Sequence, residues 1–81
     1  MKRKPIQVVH FDLTGEHIDL HSLLKATGIV DSGAAGKALV ATGVVTVDDQ
    51  PELRKSAKIR ARQRVKLPSV TIYVRAAADA A

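Results

Sequence analysis

From Leu20 to Gly43 the chain keeps helical spacing, and on both sides of that stretch β-branched residues and turn residues dominate. Leu20, Leu23 and Leu24 stand at i, i+3 and i+4, which places three leucines on one helical face. Asp19 precedes them as a candidate cap for the free N–H groups of the first turn, and Gly28 follows where a left-handed C-terminal cap belongs. The spacing therefore predicts a helix over 20–27. Ser32 can cap a second helix through Ala34, Ala35, Lys37, Ala38 and Leu39, closed by Gly43. That helix is short and alanine-rich, so little bulk separates it from whatever it packs against.

The flanks predict strands. Ile6–Phe11 is β-branched, Thr14-Gly15 can turn the chain, and Glu16-His17-Ile18 can return beside it. Val44–Val47 reads as a strand with Asp48-Asp49 as its turn, and Pro51 excludes itself from a central strand. From Lys58 to Leu67 the residues alternate: Ile59, Ala61, Val65 and Leu67 on one side, with Gln63 as the exception. Lys58, Arg60, Arg62, Arg64 and Lys66 fall on the other. Pro68-Ser69 interrupts, Val70–Val74 is a last strand, and the tail from Ala76 is expected to fray. Strands, two helices, strands is an α+β order: two short helices on a small four- to five-stranded sheet.

Eighty-one residues suit one domain with a thin core, since a chain this size buries only roughly 60–65% of its unfolded surface. With no cysteine, neither a disulfide frame nor a thiolate zinc site is available. The basic start, Met1-Lys2-Arg3-Lys4-Pro5, is followed by no apolar run of signal-peptide length, and no stretch approaches a membrane span. The expectation is a soluble, cytosolic protein.

Charge is distributed unevenly. Residues 1–52 hold five Lys/Arg against seven Asp/Glu, a net of −2; residues 53–81 hold eight against one, a net of +7. A basic segment of this kind suits a polyanion, and its blander use is solubility.

Motifs for chemistry fail on inspection. Gly33-Ala34-Ala35-Gly36-Lys37 resembles a phosphate loop only superficially. Asp31 stands where the outer glycine is required, and Ala38 where a hydroxyl must hold magnesium. A helix starting at Ser32-Gly33 can still face one backbone phosphate with its free N–H groups; alternatively, the glycines let it lie close against its neighbour. His17 and His21, with Asp12, Glu16 and Asp19 nearby, lack a pattern that fixes three converging ligands, and surface histidines are the simpler explanation. No catalytic constellation stands out. Neither a cofactor nor an enzymatic activity is expected. The aromatic residues, Phe11 and Tyr73, both fall in expected core strands, so no exposed stacking platform is expected. Recognition of nucleic acid should rest on phosphate and shape, with strong salt dependence.

The stretch Leu23-Leu24-Lys25-Ala26-Thr27-Gly28-Ile29-Val30-Asp31-Ser32-Gly33-Ala34-Ala35-Gly36-Lys37-Ala38-Leu39-Val40-Ala41-Thr42-Gly43-Val44-Val45-Thr46-Val47 resembles the S4 RNA-binding domain. Glu52, Arg54, Lys58-Ile59 and Val65 continue the likeness to the small standalone bacterial members, the YbcJ-like group. It covers about residues 18–66. The resemblance implies the αL motif and an RNA surface made by the start of the second helix and the strands and loop after it. Position by position it implies Ser32, Gly33 and Lys37 on the helix. Arg54, Lys55 and Lys58 are implied after the turn, with Lys25 on the first helix; Arg60, from the alternating basic run, joins them as a candidate RNA-binding residue. Departures from the pattern are informative. Gly33 stands where longer S4 domains carry Arg. Gly36 replaces Ala, at roughly 0.5–1 kcal/mol of helix stability. Asp48-Asp49 replaces Asn-Gly and weighs against close RNA approach there. Arg62 replaces a turn glycine, which suggests two short strands bent at Ala61-Arg62.

The resemblance implies a non-enzymatic, monomeric binder of structured RNA, ribosomal or transfer RNA foremost, with the ribosome as a candidate location and no membrane partner. An alternative is a protein-interaction module docking an acidic partner through the basic face.

Overall fold

The computed structural model describes residues 6–77. Its strands are β1 (Gln7–Leu13), β2 (Ile18–Asp19), β3 (Thr46–Val47), β4 (Gln50–Pro51), β5 (Lys58–Ile59), β6 (Arg64–Leu67) and β7 (Val70–Ala76). Its helices are α1 (Leu20–Ala26) and α2 (Gly33–Ala41). Five strands form one sheet in the order β1-β7-β6-β3-β4, and β2 pairs with β5 in a separate two-stranded ladder.

The expected return of residues 16–18 beside β1 does not occur. β1 instead runs parallel to β7 over its whole length, from Gln7 opposite Val70 to Leu13 opposite Ala76. β7 supplies seven ladder positions and the inward-facing Ile72 and Val74 on one side of β1, and the other side of β1 is an open sheet edge among the described residues. β2 goes to β5, with Ile18 opposite Ile59 and Asp19 opposite Lys58. Ala76, expected to fray, closes β7; residues 78–81 of that expected tail lie outside the described residues.

Period two sorts the large sheet into two faces. Val9, Phe11, Val65, Ile72 and Val74 point inward, where Leu20, Leu23, Leu24 and Val40 of the helices meet them in one apolar cluster. The outer face carries His10, Asp12, Arg64, Lys66, Tyr73 and Arg75.

The helices end as their glycines predict. Gly28 has φ +78°; its N–H donates to the Lys25 carbonyl and that of Ile29 to Leu24, the paired bonds of a Schellman cap. The Ser32 side chain accepts from the Ala35 N–H at 3.1 Å, so α2 is capped as expected. Asp19 is not a side-chain cap. Its extended backbone belongs to β2, and the first N–H groups of α1 bond elsewhere: Leu20 to the Ala57 carbonyl at 2.9 Å, His21 to that of Lys55 at 3.0 Å.

The alternating run 58–67 splits into β5 and β6 around a tight turn in which Arg62 has φ +72°. Its cations therefore do not share one face. Gln63, the exception to the alternation, holds the bend: its Oε1 accepts from the Arg60 N–H at 2.7 Å, and its Nε2 donates to Asp48 at 3.0 Å. Asp48 and Asp49 turn β3 into β4 with φ +50° and +69°, the left-handed geometry of a two-residue hairpin loop. Pro51 sits in β4, an edge strand, where its missing N–H costs no ladder bond.

Candidate nucleic-acid interface

His21 organises the region that the sequence marks as a site. Its Nδ1–H donates to the Lys55 carbonyl at 2.8 Å, beside the bond from its own backbone N–H. A carbonyl can only accept, so the proton sits on Nδ1 when the ring is neutral, leaving Nε2 with its lone pair. Behind the ring lies α2. A Cβ on Gly36 would stand 2.9 Å from the His21 carbonyl oxygen, and one on Gly33 would stand 3.9 Å from the His21 Cδ2. Gly36 thus buys a close approach of the two helices at the expense of helix propensity, and the glycine reading that favoured close packing holds at this position.

This contact assembles the expected site residues from separate parts of the chain. Gly33 faces the imidazole from the start of α2, next to the capping Ser32. Lys37 follows Gly36 on the helix, exposed. Lys25 lies one turn after His21, on the same side of α1, also exposed. Lys55 is tied to His21 by its carbonyl, which leaves its side chain free to face solvent. Leu53, Arg54, Lys55, Ser56, Ala57 and Lys58 line an open concavity beside it.

Two kinds of cation result. Lys25, Lys37, Lys55, Lys58 and Arg60 form no ion pair among the described residues. Arg54 is engaged: its Nε and guanidinium NH2 donate to the two carboxylate oxygens of Glu52 at 3.1 and 3.0 Å. That bidentate contact holds the Glu52 carboxyl below its ordinary value, the side-chain hydrogen bond from Arg54 being the main cause, and raises Arg54 in turn. Arg54 remains 80% exposed while Glu52 is 17% exposed, so the guanidinium is held in place on the surface.

The basic residues beyond the bend are also engaged. Arg64 and Lys66 both reach Asp49, Lys66 at 3.2 Å, and the Lys66 hydrogen bond leads the causes that lower the Asp49 carboxyl from its ordinary value. Asp48 accepts the Arg64 backbone N–H at 2.9 Å. The turn's two negative charges are thus directed at β6 and its flank, which compensates the charge expected to repel RNA.

Sequence reasoning missed two things. His21 was read as a surface histidine, although the glycines at 33 and 36, one turn apart on α2, signal a helix face pressed against a neighbour. Tyr73 was placed in the core, and the structure corrects this. With Ile72 and Val74 buried, period two turns Tyr73 outward, where it is 40% exposed and stacked on His10. His17 is exposed, and no group of three or more metal-ligand residues converges among the described residues. No helix of the described residues is long and apolar enough to cross a membrane.

The chain as a whole is similar to known proteins. Residues 11–75 match the family model of the S4 domain. The chain is 42% identical over 58 residues to the putative RNA-binding protein YbcJ of Escherichia coli K12, a match spanning 72% of this chain and 83% of that protein. YbcJ of Shigella flexneri matches at the same identity and coverage. The solution structure of Escherichia coli YbcJ, described as revealing an αL motif involved in RNA-binding, superposes with a TM-score of 0.69 at 36% identity. That superposition covers 94% of this chain and 98% of that one. With residues 11–75 matching that family model and a relative 42% identical over most of both chains, this chain belongs to the S4 domain family.

Proposed function

We propose that this chain is a non-enzymatic, cytoplasmic RNA-binding protein that holds structured RNA, ribosomal or transfer RNA foremost, as a monomer. The observation that carries the reading is the set of exposed lysines with no ion pair among the described residues, Lys25, Lys37, Lys55 and Lys58, on α1, α2, the loop that His21 joins to α1 and the start of β5. Membership of the S4 family and the αL description of the YbcJ structure support it. Phosphates dock on the lysines and on the first N–H groups of α2, and the rigid α1–α2 contact sets their spacing, so shape is read along with charge. Gly33, lacking a side chain, leaves that approach open to the RNA backbone.

The test is the salt dependence of affinity for a folded hairpin RNA. Log affinity should fall steeply and linearly with log salt, and Lys37→Ala and Lys58→Ala should each reduce the slope by about one unit. An affinity that stays flat from low to moderate salt sinks the reading.

A further inference from the structure

The outer face of the five-stranded sheet, opposite the helices, takes no part in the site described above. At its β1 edge His10 and Tyr73, register partners on β1 and β7, stack with ring centroids 5.6 Å apart and planes 25° from parallel. Both side chains are exposed, and Val8, two residues before His10 on the same face, is 53% exposed beside them. β1 is the edge of the sheet, so no strand lies beyond His10 among the described residues.

Cations surround the stack. Arg64 is the register partner of Tyr73 on its other side, Lys66 follows on β6, and Arg75 stands two residues after Tyr73. Asp49 holds the first two and Asp12 holds Arg75, with Arg75 Nε and NH2 at 3.0 and 2.8 Å from Asp12 Oδ1. With Asp48, which accepts from the Arg64 N–H, three cations meet three carboxylates, and the cations are held near the stack by exposed pairs. Because the Lys66 and Arg75 pairs are half-exposed, each contributes little to stability, and a phosphate can replace the carboxylate at small cost.

We propose that the His10–Tyr73 pair is a stacking site for one unpaired base of a bound RNA, with Lys66 and Arg75 placed to meet its flanking phosphates. This rests on the RNA-binding reading above and extends it: the preferred RNA carries a single-stranded flank next to its folded part. An aromatic platform on an open sheet accepts any base, since every base has a π face, and the Tyr73 hydroxyl and the imidazole can bond its edge. A second protein copy fits less well, because charged Asp12, Arg64, Lys66 and Arg75 break the apolar surface into small pieces.

Tyr73 is the sole tyrosine and the chain has no tryptophan, so its intrinsic emission reports this site alone. The protein is titrated with three hairpins: blunt, with a three-nucleotide flank, and with the same flank made abasic. The base-bearing flank should quench Tyr73 and bind roughly tenfold tighter than the other two. Tyr73→Ala and His10→Ala should each remove most of that gain, and Tyr73→Phe should keep it. Circular dichroism and urea midpoints confirm that each variant folds. Equal affinity for base-bearing and abasic flanks, or a gain that survives Tyr73→Ala, overturns the proposal. So does light scattering that shows a dimer dispersed by Tyr73→Ala. In those cases salt-dependent binding of the blunt hairpin, sensitive to Lys37→Ala, leaves the RNA-binding reading standing; loss of all RNA binding ends both.

Discussion

The imidazole of His21 and the backbone carbonyl of Lys55 meet at 2.8 Å, joining the first turn of α1 to the basic loop that precedes β5. Thirty-four positions separate the two residues, and the bond between them ties that loop to the start of α1. The Lys55 carbonyl also receives the His21 backbone N–H, so the loop takes the place of a side-chain cap at the start of α1.

His21→Ala should therefore weaken RNA binding more than it weakens the fold. Loss of one hydrogen bond should cost about 1 kcal/mol of stability, with the backbone bond retained. Affinity for hairpin RNA should fall several-fold while the salt slope stays unchanged, because no cation is removed. Urea denaturation and binding at three salt concentrations check both parts. A reduced slope would show that His21 itself contacts phosphate as a cation.

Gly36→Ala tests the helix contact. In an isolated helix the change should stabilise by up to about 1 kcal/mol. Here the added methyl would stand 2.9 Å from the His21 carbonyl oxygen, a backbone atom with no freedom to swing away. The substitution should instead destabilise by about 1–3 kcal/mol, as overpacking does. The urea midpoint gives the sign directly.

Asp48→Ala should cost about 2 kcal/mol, since its carboxylate accepts from both Arg64 and Gln63 and its φ is +50°. Asp48→Asn keeps one acceptor oxygen and tolerates the left-handed backbone, so it should lose less. Thermal unfolding of the two variants orders them.

Acid stability should depend on Asp49 and Glu52, whose carboxyls the fold holds below their ordinary values of 3.8 and 4.5. A carboxyl lowered on folding binds fewer protons in the native state. Its contribution is therefore present above the ordinary value and lost as pH falls through the lowered native one. Asp49→Asn should flatten this acid limb in urea midpoints measured between pH 7 and pH 3, and lower the midpoint at pH 7. An unchanged pH profile would mean that the Arg64 and Lys66 pairs are replaced by water at no cost.

The order of elements was legible because it is written in local chemistry. Ser32 caps α2, Gly28 and Gly43 terminate the helices, and Leu20, Leu23 and Leu24 fill the core as their spacing predicts. The bend at Ala61-Arg62 was legible through the resemblance to the S4 domain, which implies a turn residue at position 62, and Arg62 has φ +72°. Strand partners were not legible. By local pattern residues 16–18 suit β1 or β5; in the fold Ile18 pairs with Ile59 of β5, and the outer side of β1 is an open edge among the described residues. Nor did the charge pattern reveal which cations are compensated. Arg54, Arg64 and Lys66 resemble Lys55 and Lys58 in sequence, and only folding brings Glu52 and Asp49 to the first three.

By itself the sequence determined the helices, the Ser32 cap of α2, the glycine helix ends, the left-handed turn at Asp48-Asp49 and the family. All of these depend on residues within a few positions of one another or on a pattern spread evenly along the chain. The tertiary structure alone decided that His21 faces Gly33, Gly36 and Lys55, that Asp49 holds Arg64 and Lys66, and that Tyr73 lies on His10 in the open. Those contacts span long loops, and their energies depend on distance and burial in the folded state, which local propensity does not encode.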